Sequence, residues 1–137
     1  MHKALNYMAL ARKAGRIELG EEPVGAAARA QKARLVVVAS DGSDHTWRRA
    51  KSFVAGTQQQ CVRLPFTKDE MGEAVGRTSL AIAAFTDPAM ALAMLKSLAD
   101  PKYAEAVESL EKRTQRIRQH QAEEKAHQRN KRFGKRK

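Results

Sequence analysis

Apolar positions along the first hundred residues switch repeatedly between a helical spacing and a strand spacing. Ala4, Leu5, Met8 and Ala11 share one helix face, and Gly15 is placed to end that helix. Arg16-Ile17-Glu18-Leu19 alternates polar with apolar and predicts a short strand. Gly20-Glu21-Glu22-Pro23 then opens a small-residue helix through Gln31, since proline fits a first helical turn and the acids face its positive end. Arg34 to Ala39 is β-branched and apolar on both faces, which predicts a central, buried strand. A helix carrying Trp47, Ala50 and Val54 follows, then a third strand at Gln60–Leu64. Thr67-Lys68-Asp69-Glu70 is a capping box that opens a helix closed by Gly76. Ser79–Phe85 predicts a fourth strand, and Asp87-Pro88 starts a helix with Met90, Met94, Leu95 and Leu98 on its stripe. Strands and helices alternate through residue 99, the pattern of a sheet covered on both faces by helices.

Beyond Ala99 the pattern changes. Asp100-Pro101 repeats the cap-plus-proline signal, and good helix formers follow. Tyr103, Val107, Leu110, Thr114 and Ile117 make a narrow seam at spacings of four and three, predicted to pack on the domain or on a partner. Arg129 to Lys137 holds six basic residues and no acid, which predicts a tail that orders only against phosphate. The expected organisation is a folded domain over 1–99, a charged helical extension over 100–128 and a basic disordered tail over 129–137.

Composition narrows the function. The chain has 137 residues, with 26 Lys and Arg against 15 Asp and Glu, a net charge of +11. That clustered excess favours a polyanionic partner, with RNA or DNA first. No apolar run reaches membrane-spanning length, the N-terminus lacks the layout of a signal peptide, and the lone Cys61 excludes an internal disulfide. A cytoplasmic location is the expectation. Asp41, Asp44 and His45 read as a strand-to-helix connection with capping acids. His120, Glu124 and His127 lie in a solvated charged segment, and Cys61 sits inside a predicted strand as a buried thiol. No phosphate-cradling or nucleophile motif is present, so no catalytic residue, metal or cofactor is assigned.

The basic residues gather in places. Arg12, Lys13 and Arg16 border the end of the first helix; Arg29, Lys32 and Arg34 border the main strand; Arg48, Arg49 and Lys51 read as an exposed helix face. Gly76-Arg77-Thr78-Ser79 fills the loop before the last strand, where arginine beside hydroxyls suits phosphate and sugar contacts.

Five stretches form a familiar set: Leu10 to Arg16, Gly20-Glu21-Glu22, Ala33 to Asp41, Phe66 to Gly72, and Ala84-Phe85-Thr86-Asp87. Over residues 3–99 the chain resembles the bacterial YlxQ-like proteins of the ribosomal protein L-seven-Ae superfamily, the kink-turn RNA binders. The resemblance implies a three-layer α/β/α sandwich with a mixed four-stranded sheet. It also implies RNA binding by the helix start after Gly20 and by the loop before the last strand. The chain departs from the family pattern Gly-x-Asn-Glu-x-x-Lys at that helix start. Counted from Gly20, it has Glu22, Pro23 and Ala26 for Asn, Glu and Lys; shifted by one, Glu22 matches the acid while Glu21 and Gly25 replace Asn and Lys. Arg29, one turn beyond Ala26, is a substitute cation.

The expectation is a monomeric, non-catalytic protein binding structured RNA, such as ribosomal RNA, in a ribosome or translation context. Its candidate RNA-binding residues are Arg16, Gly20, Glu21, Glu22, Arg29, Gly76, Arg77, Thr78, Ser79, Lys131, Arg132, Lys135 and Arg136. An alternative is a protein-interaction module that docks on a ribosome-associated partner through the Tyr103–Ile117 seam. A third is an accessory domain of an RNA-modifying enzyme, although no second domain is visible in the chain.

Overall fold

The computed structural model describes residues 2–133, with side chains through Ala126. Its elements are α1 (Lys3–Ala14), β1 (Ile17–Leu19), α2 (Glu21–Arg29), β2 (Leu35–Val38), α3 (Asp44–Val54), β3 (Gln60–Arg63), α4 (Lys68–Ala74), β4 (Ile82–Phe85), α5 (Pro88–Leu98) and α6 (Ala104–Phe133), with a single 3-10 turn at Pro101–Tyr103.

Local signals account for most boundaries. Gly15 ends α1 at φ +68°, a left-handed conformation that glycine adopts without steric cost. Thr67 and Glu70 form the reciprocal capping box at the start of α4. Ser43 caps α3 by accepting from the Thr46 N–H, and Asp87 caps α5 ahead of Pro88. The fourth strand is shorter than its apolar run predicts. Leu80 donates to the Lys68 carbonyl and Ala81 accepts from the Ala39 N–H, so the ladder with β1 starts only near Ile82.

The sheet order is β1-β4-β2-β3, with β4 antiparallel to both of its neighbours and β2 parallel to β3. The side-chain period of two splits each central strand between layers. Leu35, Val37, Ala83 and Phe85 face a core built with α1, α4, α5 and α6, while Val36, Val38, Ile82 and Ala84 face α2 and α3. The three-layer α/β/α sandwich with a mixed four-stranded sheet is therefore the fold.

The extension differs from expectation in two respects. Tyr103, Ala106 and Leu110 are buried in the same core as Phe85 and Met94, so the apolar core continues across the boundary drawn at residue 99. The seam lies on the chain's own α5 and β3, with the Tyr103 hydroxyl donating to the Arg63 carbonyl at 2.8 Å. It is thus not a free docking surface, because its largest apolar side chains are already covered. The helix also runs unbroken through residue 128 to Phe133, where a disordered tail was expected from 129.

Candidate nucleic-acid interface

Two segments far apart in sequence meet at one end of the sheet. β1 delivers Gly20 there, and Gly20 donates to the Ile82 carbonyl at 3.0 Å, beside the start of β4. Gly20 is the N-terminal flank of α2, at φ +95°, with no side chain capping the helix. No side chain caps the first N–H groups of α2, an end that favours anions, and Glu21 and Glu22 stand in that first turn. The loop before β4 comes to the same place. A Cβ built on Gly20 would lie 3.9 Å from Arg77 Nη1, so the guanidinium reaches the start of α2.

The loop owes its position to Gly72. A Cβ there would come within 2.8 Å of the Arg77 carbonyl oxygen and the Ser79 nitrogen, closer than real contacts allow. The loop can lie against α4 only because residue 72 has no side chain, and the Arg77 N–H donates to the Gly72 carbonyl at 2.8 Å. Gly76 (φ +76°), Arg77, Thr78 and Ser79 are all exposed.

Along α2 a shallow groove opens between Glu21, Glu22, Arg29, Arg49 and Phe53. Glu21 accepts from Arg49 Nε at 2.6 Å, and Arg49 lies 5.1 Å above the Phe53 ring. A Cβ on Gly25 would lie 3.1 Å from Phe53 and 3.3 Å from Arg29 Nη1. A side chain at position 25 would press on both, and Arg29 puts its charge where that side chain would begin. Arg49 and Phe53 were not among the candidate residues. Gly25 was their signal: a glycine inside a helix weakens it by about 1 kcal/mol, and here it allows close approach of another element.

The remaining candidates separate. Arg16 stands at the start of β1 and Gly20 beyond its end, so Arg16 lies at the opposite end of the sheet and does not join this cluster. Lys135 and Arg136 lie outside the described residues. So do the side chains of Lys131 and Arg132, whose backbone belongs to the last turns of α6. Asp41 accepts from the Lys68 N–H at 2.8 Å. Among the described residues no group of three His, Cys, Asp or Glu side chains is arranged to hold a metal, and no helix is long and apolar enough to cross a membrane. Burial pushes the Cys61 thiol up to about 12, outweighing the opposing pull of Lys51 and Arg63.

No protein-family model matches the chain. Over 75 residues it is 35% identical to the RNA-binding protein YlxQ of Enterococcus faecium, a stretch covering 55% of this chain and 72% of that protein. In fold it is similar to a Bacillus halodurans protein of unknown function, with a TM-score of 0.67 and 21% identity over 73% of this chain and 100% of the other. It is also similar to a 15.5 kD RNA-binding protein of Giardia lamblia, with a TM-score of 0.58 and 18% identity over 77% and 85% of the two chains. At such identities the two structures speak to the fold alone.

Proposed function

Because the chain belongs to the YlxQ-like family of bacterial RNA-binding proteins, in the ribosomal protein L-seven-Ae superfamily, we propose that it is a non-catalytic protein that binds structured RNA at the Gly20–Arg77 junction and works in a ribosome or translation context. One observation carries this reading: the Arg77 guanidinium stands over the uncapped start of α2. An RNA phosphate at that point would accept from backbone N–H groups and from a charged fork together. Arg29 adds a second cation along α2, with Phe53 as an apolar floor and Arg49 paired to Glu21. No amide stands at the helix start, and the Glu21 carboxylate is engaged by Arg49. The site is therefore suited to shape and phosphate rather than to the base-specific contacts of a kink-turn reader.

The test is titration of the full chain and of Arg77→Ala with one structured RNA and one scrambled control at two salt concentrations. Arg77→Ala should narrow the preference for the structured RNA and lower the log–log salt slope by about 0.7–0.9, the share of one phosphate contact. An unchanged preference would remove the junction from recognition.

A further inference from the structure

The other end of the sheet holds a second concentration of positive charge. Arg16 precedes β1 and Arg34 precedes β2, and the two strands run parallel, so both arginines stand at the end where β4 leaves into Thr86-Asp87-Pro88. α6 passes this end. Arg16, Arg34, Thr86, Asp87, Thr114 and Arg118 line a groove there of about 400 Å³.

Three observations mark the groove as a place for an anion. Arg34 Nε and Thr114 Oγ1, both on residues that line the groove, are buried without a hydrogen-bond partner, as is Nη1 of Arg113, which is not part of the lining; Thr114 is only 6% exposed. Among the described residues no carboxylate pairs with Arg16, Arg34, Arg113, Arg116 or Arg118, although Glu108 and Glu111 of the same helix do pair, with Lys112 and Lys96. Asp87, the acid in the groove, accepts at 3.0 Å from the Ala89 N–H that it caps; it keeps its charge but makes no ion pair within 4.0 Å with these arginines. The guanidiniums also crowd one another. Burial, then the charges of Arg34 and Arg116, hold Arg113 below the usual arginine range. Unmade buried hydrogen bonds and crowded like charges are both unfavourable, and one anion accepting from several donors relieves both.

We propose that this groove is a second RNA-contacting site, which takes a backbone phosphate on Arg34 and Arg118, with Arg16 at its rim and the Thr114 hydroxyl beside it. The inference rests on the RNA-binding reading above and adds to it a contact at the far end of the same sheet. Four residue steps of β1 separate Arg16 from Gly20, about 13 Å at roughly 3.3 Å per residue. A folded RNA lying along the β1 side can meet both ends. A row of cations strung from Arg16 to α6, rather than one closed cradle, favours a polyanion over a single small ion.

The full chain, Arg34→Gln, Arg118→Gln and Arg77→Ala are titrated with one labelled hairpin RNA and a scrambled control at about 50 and about 200 mM salt. A thermal-shift series with inorganic phosphate runs in parallel. Arg118 is exposed, so its replacement reports on the groove even where Arg34→Gln fails to fold. Each groove variant should lower the log–log slope by about 0.7–0.9 and weaken both RNAs equally, additively with Arg77→Ala. If the folded groove variants bind as the parent does while Arg77→Ala is weakened, the second site is wrong and the first stands. If none of the three alters RNA binding, the RNA-binding reading falls and this inference falls with it. If phosphate raises the parent's melting temperature but not that of Arg118→Gln, with RNA slopes unmoved, the groove holds a small anion and its assignment to RNA is overturned.

Discussion

On one face of the sheet, α1, α4, α5 and α6 enclose Leu5, Met8, Met71, Met94, Leu95, Leu110 and Phe85, all buried. On the other, α2 and α3 contribute Val24, Ala27, Ala28 and Ala50, with Trp47 and Phe53 only partly covered. The helices of the first layer bury many large side chains, whereas those of the second bury Val24 and the small Gly25, Ala27, Ala28 and Ala50. Large residues remove much apolar area from water, at about 25 cal/mol per Å², and so carry most of the fold's stability. Small ones let α2 lie close to its neighbours and bring its N-terminus to the sheet end where Arg77 arrives. The candidate interface thus sits on the thin layer, and the thick layer holds it in place.

The largest test of this division is Val37→Asp. Val37 is fully buried in the thick layer, where an unpaired carboxylate costs several kcal/mol. The variant should be insoluble or unfolded by circular dichroism; a near-native melting temperature would show that this layer does not carry the stability. Next comes a matched pair. Leu110→Ala should lose about 2–5 kcal/mol in urea unfolding, and Phe53→Ala, at a partly buried position, only about 1–2 kcal/mol. Equal losses would erase the contrast between the layers and would also return α6 to the status of an appendage.

How much of this is legible in the sequence depends on the range of the forces involved. The α4 capping box, the buried strand at Leu35–Val38 and the proline entry to α5 are local, and they appear in the structure where the residues put them. The destination of the seam is not local. Spacings of four and three describe a helix face equally well against its own domain or against another protein, and only the structure brings Leu110 onto β3 and α5. Arg16 and Gly20 look like neighbours in sequence, yet an intervening extended strand places them at opposite ends of the sheet. The meeting of Arg77 with Gly20 depends on β4 pairing with β1, a long-range event that no local pattern encodes.

Smaller effects sharpen the comparison at the interface itself. Gly72→Ala forces a methyl group against the backbone of Arg77 and Ser79, so it should cost about 1–3 kcal/mol and displace the loop. RNA affinity should fall along with stability, whereas a variant that loses stability but keeps its affinity would separate the loop from binding. The smallest effect concerns Cys61, which α3 and its neighbours partly cover on the thin layer. With its thiol raised to about 12 against an ordinary 9.0, native protein at about pH 8 holds very little thiolate. Because the shift opposes ionisation, the thiolate fraction at that pH falls by on the order of a thousandfold, so alkylation by iodoacetamide should be far slower than in urea and should speed up as pH rises. Equal rates in the native and unfolded chain would mean that the thin layer opens freely.

The hydrogen bond from the Tyr103 hydroxyl to the Arg63 carbonyl also bears on how the sheet ends. β3 is an outer strand, and Arg63 presents its carbonyl to the side away from β2, where a foreign strand could add itself. The phenol occupies that acceptor, and Gln60 ties the same strand to Ser109 of α6. The opposite margin, β1, is three residues long and too short to template a further strand. The 3-10 turn and the start of α6 therefore cover part of the outer edge of β3 and hinder the addition of a foreign strand there.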